Sequence, residues 1–511
     1  MTLPLSAQYA GPMFVRILLA VLLGGIASFA QSSIPMTDTR RMSLRDCIDL
    51  ALSKNLDVQI QQLNVDIAGN YLSGAYGPYV PVLNFTARHD FLSEPQMFDP
   101  KKLTPDQAYD VDTDRITPGL AGRLPMGLSY NLGTSFSEEI FDTAIRRTNI
   151  TEFSSRLGLT VQQHLLKDFW IDPYRQNLLI RRKELNMSQE ALRFQVMRTI
   201  LGVEVAYYDL AAAREQVRVQ EKALELRQQL VAETKRRVEV GDVPELESEQ
   251  AETQLQNTLT ALASARERMV FQQNALKTLF TDNFKDWALV DLQAADILLA
   301  LREPVNLQES FTKAVTLRPD LEEARVAVQR SAVVVKFQKN QLFPSLDLIG
   351  RYGGFGYQPS FNEALNDATT FRHEDYYYGV VMSVPLSNVT EKNNYRASKA
   401  ARAIAELQLK KAEQAILVQV ADEANRVNSK LSQLDSTRKA RVYAESALTA
   451  EEKKLKNGLT TTFVVLQLQE TLTSARNLEL QALAEYNKAK AQLAFAEGTT
   501  LERHSLVVET R

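Results

Sequence analysis

The sequence is a duplication in which each half carries a helical pattern far longer than an ordinary globular core requires. The segments Ser43–Leu52 and Asn306–Val315 both open with a helix-capping residue and continue with matching apolar positions. At the same offset, Pro81 of the first half aligns with Pro344 of the second. A repeated supersecondary unit can need further copies to close its core, so we expect each half to be part of a larger symmetric object.

In each half, a long segment after the aligned proline has apolar residues at heptad spacing. Apolar residues recur every seven positions through a first segment of about 70 residues, which as a helix would be roughly 100 Å long. The second half repeats the pattern, with Arg441 interrupting it. This spacing predicts coiled-coil packing, because it keeps one apolar seam facing a partner helix. The first series is Val196, Val203, Leu210, Val217, Leu224, Val231 and Val238, and the second contains Val420, Val427, Leu434, Leu448 and Leu455.

Two shorter regions, at about 79–163 and 343–385, alternate between apolar and polar residues. Such alternation predicts strands with one face of each kind. The second region is dense in tyrosine and phenylalanine, which is typical of the aromatic bands on membrane-facing strands. Residues 90–150 have no counterpart in the second half. They are interpreted as an enlarged surface loop, with additional strands as the alternative.

The N-terminus has the pattern of an export signal. The apolar run Ile17–Ile26 follows Arg16, and Ser28 to Ala30 places small residues where a signal peptidase reads, which predicts cleavage before Gln31. Met13 is an alternative start, and a retained membrane anchor is the alternative interpretation. No other apolar run reaches the roughly 18 residues of a membrane helix, so we expect any membrane insertion to use strands.

Composition excludes several classes of function. A net charge of −3 argues against a nucleic-acid binder. The four histidines are scattered, and the single cysteine, Cys47, is expected to be a small buried side chain inside the first helix. Neither a metal-ligand spacing nor a nucleotide loop nor a nucleophile motif occurs. We therefore expect no cofactor, no metal and no enzymatic activity, and transport energy would have to come from a partner protein.

A glycine turn separates the two long helical segments of each half. Gly241 lies in the turn Val240–Pro244, and Gly458 lies in the turn Asn457–Thr461. A glycine directly after the last helical turn predicts a left-handed cap. Because the two turns occupy equivalent places in the duplication, we expect them at the same end of the rod.

In their order and doubled occurrence, these features resemble the TolC-type outer-membrane efflux proteins over nearly the whole chain from Ser43 to Gly498. The residues that carry the resemblance are Asn55 and Arg318-Pro319 after the first helices, Pro81 and Pro344, Leu157–Gln163 with Tyr378–Leu386, and the turns at Gly241 and Gly458. The resemblance implies a fold that is mainly α with a membrane β-barrel. It also implies a homotrimer in which each chain gives four strands to one 12-stranded barrel and its long helices to a periplasmic tunnel.

The resemblance also implies functional residues at the glycine turns. The family docks a periplasmic adaptor there, which corresponds to Gly241, Asp242, Val243, Gly458, Leu459 and Thr460. Some members narrow the tunnel entrance with acids six and nine residues after the second glycine. Those places hold Val464 and Gln467 here, whereas Glu247 lies six residues after the first glycine. The alternative for Glu247 is a solvated side chain that the helix dipole favours.

A further departure is His164, which stands where the family usually has proline, as Pro385 does in the second half. The first strand-to-helix turn therefore departs from the family pattern. The domain boundaries expected from the sequence are a signal peptide at 1–30, a linker at 31–42, a first repeat at 43–300 with its hairpin at about 168–281, a second repeat at 301–498 with its hairpin at about 390–497, and a C-terminal tail at 499–511.

The function implied is that of a passive exit duct of a tripartite efflux pump. Its partners would be the adaptor, through it an inner-membrane RND or ABC transporter, and outer-membrane lipid. The location would be the outer membrane of a Gram-negative-type bacterium, with a large periplasmic part. A duct for type I protein secretion is the nearest alternative, and a secreted coiled-coil scaffold without a pore is a more distant one.

Overall fold

The computed structural model describes most of the chain outside the N-terminal segment. The described residues are 38–95, 98–99, 104–105, 109–143, 149–241, 243–296, 298–302, 304–457 and 459–507. The expected signal peptide, Asp242 and Gly458 lie outside them.

Each repeat runs from two short helices through strands into a long helical hairpin. The first repeat comprises α1 (Leu44–Lys54), α2 (Leu56–Gly74), β2 (Val82–Glu94), β3 (Phe98–Asp99), β4 (Thr104–Pro105), β5 (Tyr109–Arg123), β6 (Leu128–Thr143), β7 (Asn149–His164), α3 (Pro173–Glu239) and α4 (Glu245–Phe280), flanked by β1 (Asp38–Met42) and β8 (Val290–Ala294). The second comprises α5 (Leu307–Leu317), α6 (Pro319–Asn340), β9 (Ser345–Gln358), α7 (Phe361–Thr369), β10 (Glu374–Ser383), α8 (Val389–Lys456), α9 (Thr462–Glu497) and α10 (Thr500–Arg503).

Capping residues set where the short helices begin and end. The Ser43 hydroxyl accepts the backbone N–H of Asp46, while the Asp46 carboxylate accepts the backbone N–H of Ser43, which completes a capping box. Asn55 ends α1 and caps α2 by accepting the N–H of Val58 at 3.1 Å. Cys47 is buried in α1 as expected, and burial raises the pKa of its thiol to about 12.

Most of the heptad seam of the long helices is buried, as the spacing predicts. Val203, Leu210 and Val217 of α3 are all buried, and α3 packs against both α4 and α9. The interruption at Arg441 has a structural reason. Its guanidinium reaches Glu445 on its own helix at 2.9 Å and Glu479 on α9 at 2.5 Å. At this level an ion pair therefore replaces the apolar contact between α8 and α9.

The main sheet is antiparallel and has six strands in the order β10-β9-β7-β6-β5-β2. The four strands expected per chain are therefore too few, and the interpretation of residues 90–150 as a surface loop is wrong. Most of this segment extends β2 and forms β5 and β6. These two strands are joined by a tight turn in which the N–H of Gly127 donates to the carbonyl of Leu124 at 3.0 Å. Gly127 has a φ of +84°, a conformation that favours glycine.

Two short segments differ from their expected roles. Residues Asp38–Met42, expected to be a linker, pair as a parallel strand with Val290–Ala294. The beginning of the expected tail folds onto α3, where Leu501 joins the core cluster and His504 contacts Glu204 at 3.1 Å. Both contacts join residues far apart in sequence, so local periodicity gives no sign of them. Within the described part of the chain, no helix is both long enough and apolar enough to cross a membrane.

Candidate functional site: the hairpin tips and the two-sided sheet

The first glycine turn closes the α3–α4 hairpin with a left-handed residue. Gly241 has a φ of +79°, and its N–H donates to the carbonyl of Val238 at 2.9 Å. Pro244 then precedes α4. Beside the glycine, the side chain of Val240 is 79% exposed. This exposed apolar residue was not among the expected adaptor contacts, although its place next to the tip glycine is a signal that the sequence offers.

The second turn has a similar surface. The N–H of Leu459 donates to the carbonyl of Lys454 at 2.9 Å, while its side chain is 74% exposed. Thr460 hydrogen-bonds the carboxylate of Glu451, which lowers the pKa of that acid. Each tip thus presents one aliphatic side chain to solvent on a turn held by backbone hydrogen bonds.

A buried arginine joins the two hairpins a short way above the tips. Arg227 of α3 is 5% exposed and donates to the backbone carbonyl of Leu466 on α9 at 3.1 Å. Burial lowers the pKa of its guanidinium, while the charge of Glu470 opposes that shift. The contact brings the beginning of α9 against α3, so both turns lie at the same end of the structure. Arg227 was not among the residues expected at this site, which were the turn residues and the acid near them.

The three residues expected to form the tunnel entrance lie in the first turns after the glycines. Glu247 is partly buried in the first turn of α4, and its Oε2 has no hydrogen-bond partner among the described residues. On α9, Val464 is partly buried and Gln467 is exposed. Of these three residues, only Glu247 can carry a charge.

The six-stranded sheet has one apolar face and one polar face across its whole width. One row of paired residues crosses all six strands with apolar or aromatic side chains, and the adjacent row on the opposite face carries polar residues and glycines. The first row is Leu83, Leu120, Leu132, Leu159, Tyr352 and Tyr376, and the second is Asn84, Gly119, Gly133, Gly158, Gly353 and Asp375. A sheet with these two faces separates an apolar medium from a polar one.

The glycines of the second row let neighbouring strands approach closely. A Cβ on Gly158 would lie 3.2 Å from the carbonyl oxygen of Tyr352 and 3.3 Å from the Cα of Gly353. Side chains are therefore absent from this face where the strands come closest, which favours bending of the sheet toward the polar side. The polar face is thus suited to be the concave one.

His164 stands where the family usually has proline, at the end of the polar face nearest the helices. It is the last residue of β7 and pairs with Asp347 of β9. Its Nδ1 lies 2.6 Å from Oδ1 of Asp347, the residue paired with it on β9. The next residue, Leu165, continues the pairing by donating its N–H to the carbonyl of Leu346 at 2.8 Å. His164 therefore ends β7 with a polar contact between strands.

These features define a class of protein: a duct subunit in which two long helical hairpins continue from a two-sided sheet. The family model described as "Outer membrane efflux protein" matches residues 127–280 and 312–499. The chain belongs to this family. The matched residues contain β6 and β7 of the first repeat and β9 and β10 of the second, but neither β2 nor β5.

Individual relatives agree with the family match. The outer membrane protein TolC of Vibrio cholerae is 23% identical over 411 residues, which covers 79% of this chain and 89% of that protein. The CmeC outer membrane channel of Campylobacter jejuni superposes with a TM-score of 0.63 at 15% identity, covering 89% of this chain and 86% of that one. The open-state MtrE outer membrane channel of Neisseria gonorrhoeae gives 0.64 at 17% identity, covering 90% and 89%. The protein is an outer-membrane exit channel for efflux.

Proposed function

We propose that three copies of this chain form the exit duct of a tripartite efflux pump. In this assembly the sheets form the outer-membrane section, the helical hairpins form a periplasmic tunnel, and the glycine turns dock an adaptor that connects to an inner-membrane RND or ABC transporter. The observation that carries the proposal is the pair of apolar tips on parallel hairpins, with Val240 and Leu459 both largely exposed. An exposed aliphatic side chain on a turn is a suitable contact for a partner protein.

An unpaired apolar stripe on α2 supports the homotrimer. Five residues spaced by three or four positions are each 48–60% exposed, although the opposite side of α2 packs against α3. A stripe of this periodicity on an exposed helix face needs a further helix to cover it. A second copy of the chain offers α8, where Ile404 and Leu407 are also exposed. The α2 residues are Leu56, Ile60, Leu63, Ile67 and Tyr71.

The export signal at 1–30 completes the proposal, since an outer-membrane protein must first cross the inner membrane. Its cleavage before Gln31 would leave a mature chain that begins a few residues before β1. The entrance residues Glu247, Val464 and Gln467 would then lie at the periplasmic end of the tunnel. Energy for transport would come from the inner-membrane partner.

The test is a complementation experiment in the bacterium that encodes the protein. After deletion of the gene, cells would accumulate a fluorescent efflux dye, and the wild-type gene would restore low accumulation. The double variant Val240→Asp, Leu459→Asp is expected to reach the outer membrane as a heat-resistant trimer but to leave accumulation high. The matched variant Asn257→Asp, Ser446→Asp changes exposed residues of the same hairpins away from the tips and should complement fully.

Two outcomes would count against the proposal. A wild-type protein that fractionates as a soluble monomer would refute the trimeric duct. Full complementation by the tip double variant would refute docking through these two side chains.

A further inference from the structure

The sheet holds one more pair of strands than the residues that match the family model. Those residues contain four strands, whereas the sheet contains six, because β2 and β5 lie outside the match at one side of the sheet. Both of these strands are paired along their length. β2 pairs with β5 over thirteen residues, from Val82 with Ala121 to Glu94 with Tyr109, and β5 continues onto β6.

The added pair carries the same two faces as the rest of the sheet. Leu83 and Leu120 extend the apolar row begun by Leu132 and Leu159. On the other face, Asn84 and Gly119 extend the polar row. A hairpin outside the membrane would not need an apolar row that continues the apolar row of the membrane-facing strands. β2 and β5 therefore have the pattern of barrel strands.

The outermost strands, β2 and β10, each have a partner on one side only. Unpaired strand edges cannot persist in lipid, because their N–H and C=O groups find no water there. Six strands are also too few to close on themselves, since small closed barrels need about eight. The six strands alternate in direction, so β10 of one copy would meet β2 of the next copy antiparallel.

We propose that the assembled protein has an eighteen-stranded exit barrel, from three sheets of six strands, and that the added pair sets a larger size limit for the substrates it releases. The proposal rests on the trimer of the proposed function and replaces the expected count of twelve. Strands about 4.8 Å apart and tilted by about 40° would enclose a backbone cylinder about 36 Å wide, against about 24 Å for twelve strands.

The helix between β9 and β10 does not narrow this barrel. Helix α7 lies on the apolar face, where Phe361 packs against Phe136 and Phe153 with ring centroids 5.6 and 6.2 Å apart. On the same face, the Ser155 hydroxyl donates to the carbonyl of Ala364 at 3.0 Å. Since the apolar face would be the outside of the wall, α7 leaves the width of the channel unchanged. The substrates favoured are bulky solutes that a twelve-stranded mouth excludes.

The first experiment removes two strands of the sheet per chain, β5 and β6, so that β2 takes the place of β6 beside β7, and then measures the width of the barrel opening. Through the register, Asn84 aligns with Gly133 and then with Gly158, so β2 can pair directly with β7 without exchanging faces. Deletion of residues 97–146 would join these strands by a short hairpin. Cryo-electron microscopy of the wild-type trimer should show eighteen strands and the deletion variant twelve. Polyethylene glycols added on the extracellular side should enter the wild-type barrel up to a radius at least about 1.5-fold larger, because the backbone radii have that ratio and the side-chain layer subtracts equally from both.

A second experiment does not require the deletion variant to fold. Leu132→Arg places a charge on the outer face of β6, whereas Asn131→Arg places it on the inner face one residue away. The same comparison on the added strand uses Leu120→Arg and Ala121→Arg. The outer-face variants should lose most of the heat-resistant trimer from the outer membrane, and the inner-face variants should retain it.

The outcomes separate this inference from the proposed function. A wild-type trimer with a twelve-stranded wall, or equal tolerance of Leu120→Arg and Ala121→Arg, would overturn the eighteen-stranded barrel and leave the trimeric duct standing. Absence of any trimer would overturn both.

Discussion

The side-chain amide of Asn55 donates a hydrogen bond to the backbone carbonyl of Leu279 at 2.8 Å, and the second repeat preserves this link with different chemistry. There Arg318 occupies the equivalent position and donates to the carbonyl of Ala496 at 3.3 Å. Both carbonyls lie in the last turn of a return helix, where the helix provides no partner. The duplication has therefore kept a contact between the helix break and the base of the hairpin, even though the residues have diverged.

Replacing Asn55 with alanine should destabilise the protein by about 1–3 kcal/mol. The variant loses the cap on α2 and leaves the Leu279 carbonyl without its donor in a partly buried place. The measurement is the denaturant midpoint of the purified protein. Asn64→Ala is the matched control, because Asn64 is exposed on the same helix and its side chain hydrogen-bonds Gln61, one turn earlier. Equal midpoints for the two variants would show that the link contributes no stability.

Lys277 gives a prediction about alkaline stability. Its side chain is fully buried in α4, and Nζ has no hydrogen-bond partner among the described residues. Burial lowers the pKa of this ammonium, and the charge of Asp291 offsets part of the shift. Between the lowered pKa and the ordinary lysine pKa of about 10.4, the unfolded chain binds more protons than the folded one. Stability from this group should therefore rise with pH through that window.

Lys277→Met should remove this dependence and raise the melting temperature at neutral pH. The change deletes a charge that is costly to bury but leaves the ion pair between Arg214 and Asp291 intact. Melting curves from pH 7 to above pH 10 would provide the comparison. Lys222→Met, at an exposed position of α3, should leave both the melting temperature and its slope with pH as in the wild type. A lower melting temperature for Lys277→Met at pH 7 would contradict the prediction.

Trimer formation should depend on the apolar stripe of α2. Leu63→Asp places a charge at the centre of that stripe, where a neighbouring copy would bury it without a partner. The heat-resistant trimer should be lost in favour of monomer on gel electrophoresis and size-exclusion chromatography. Gln62→Asp adds the same charge one residue away, outside the stripe, and should remain trimeric. A trimeric Leu63→Asp variant would mean that another surface holds the copies together.

Periodicity predicted the features of the fold that one segment determines by itself. The heptad seam through Val203 and Leu210, the Ser43 cap and the left-handed Gly241 each follow from residues within a few helical turns. Features that need a distant partner were missed. Arg227 resembles any surface arginine of a long helix until Leu466, more than two hundred residues later, comes to lie against it.

The added strands show a different limit. The sequence alternates through Gly127–Phe136, nearly all of which lies in β6, but the Asp- and Pro-rich composition of residues 90–150 favours a loop. Pro118 lies in the middle of β5, where it pairs with Phe85 of β2. The ladder between β5 and β6 omits Thr117 and Pro118, consistent with a proline that cannot donate to it. β5 remains a strand because it pairs with β2 on one side and with β6 on the other. The sequence of a single strand does not show which strands it will pair with.

Glu247 provides the test of charge at the tunnel entrance. In the proposed trimer, three copies of this carboxylate would surround the threefold axis, where they would attract cations and repel anions. Glu247→Ala should lower the cation-to-anion permeability ratio of single channels by about twofold at low ionic strength, where screening is weak. Glu249→Ala removes an exposed acid from the same helix and should leave the ratio nearly unchanged. Reversal potentials under a salt gradient measure the ratio directly. An unchanged reversal potential for Glu247→Ala would assign this side chain to the solvated start of α4 and not to the entrance.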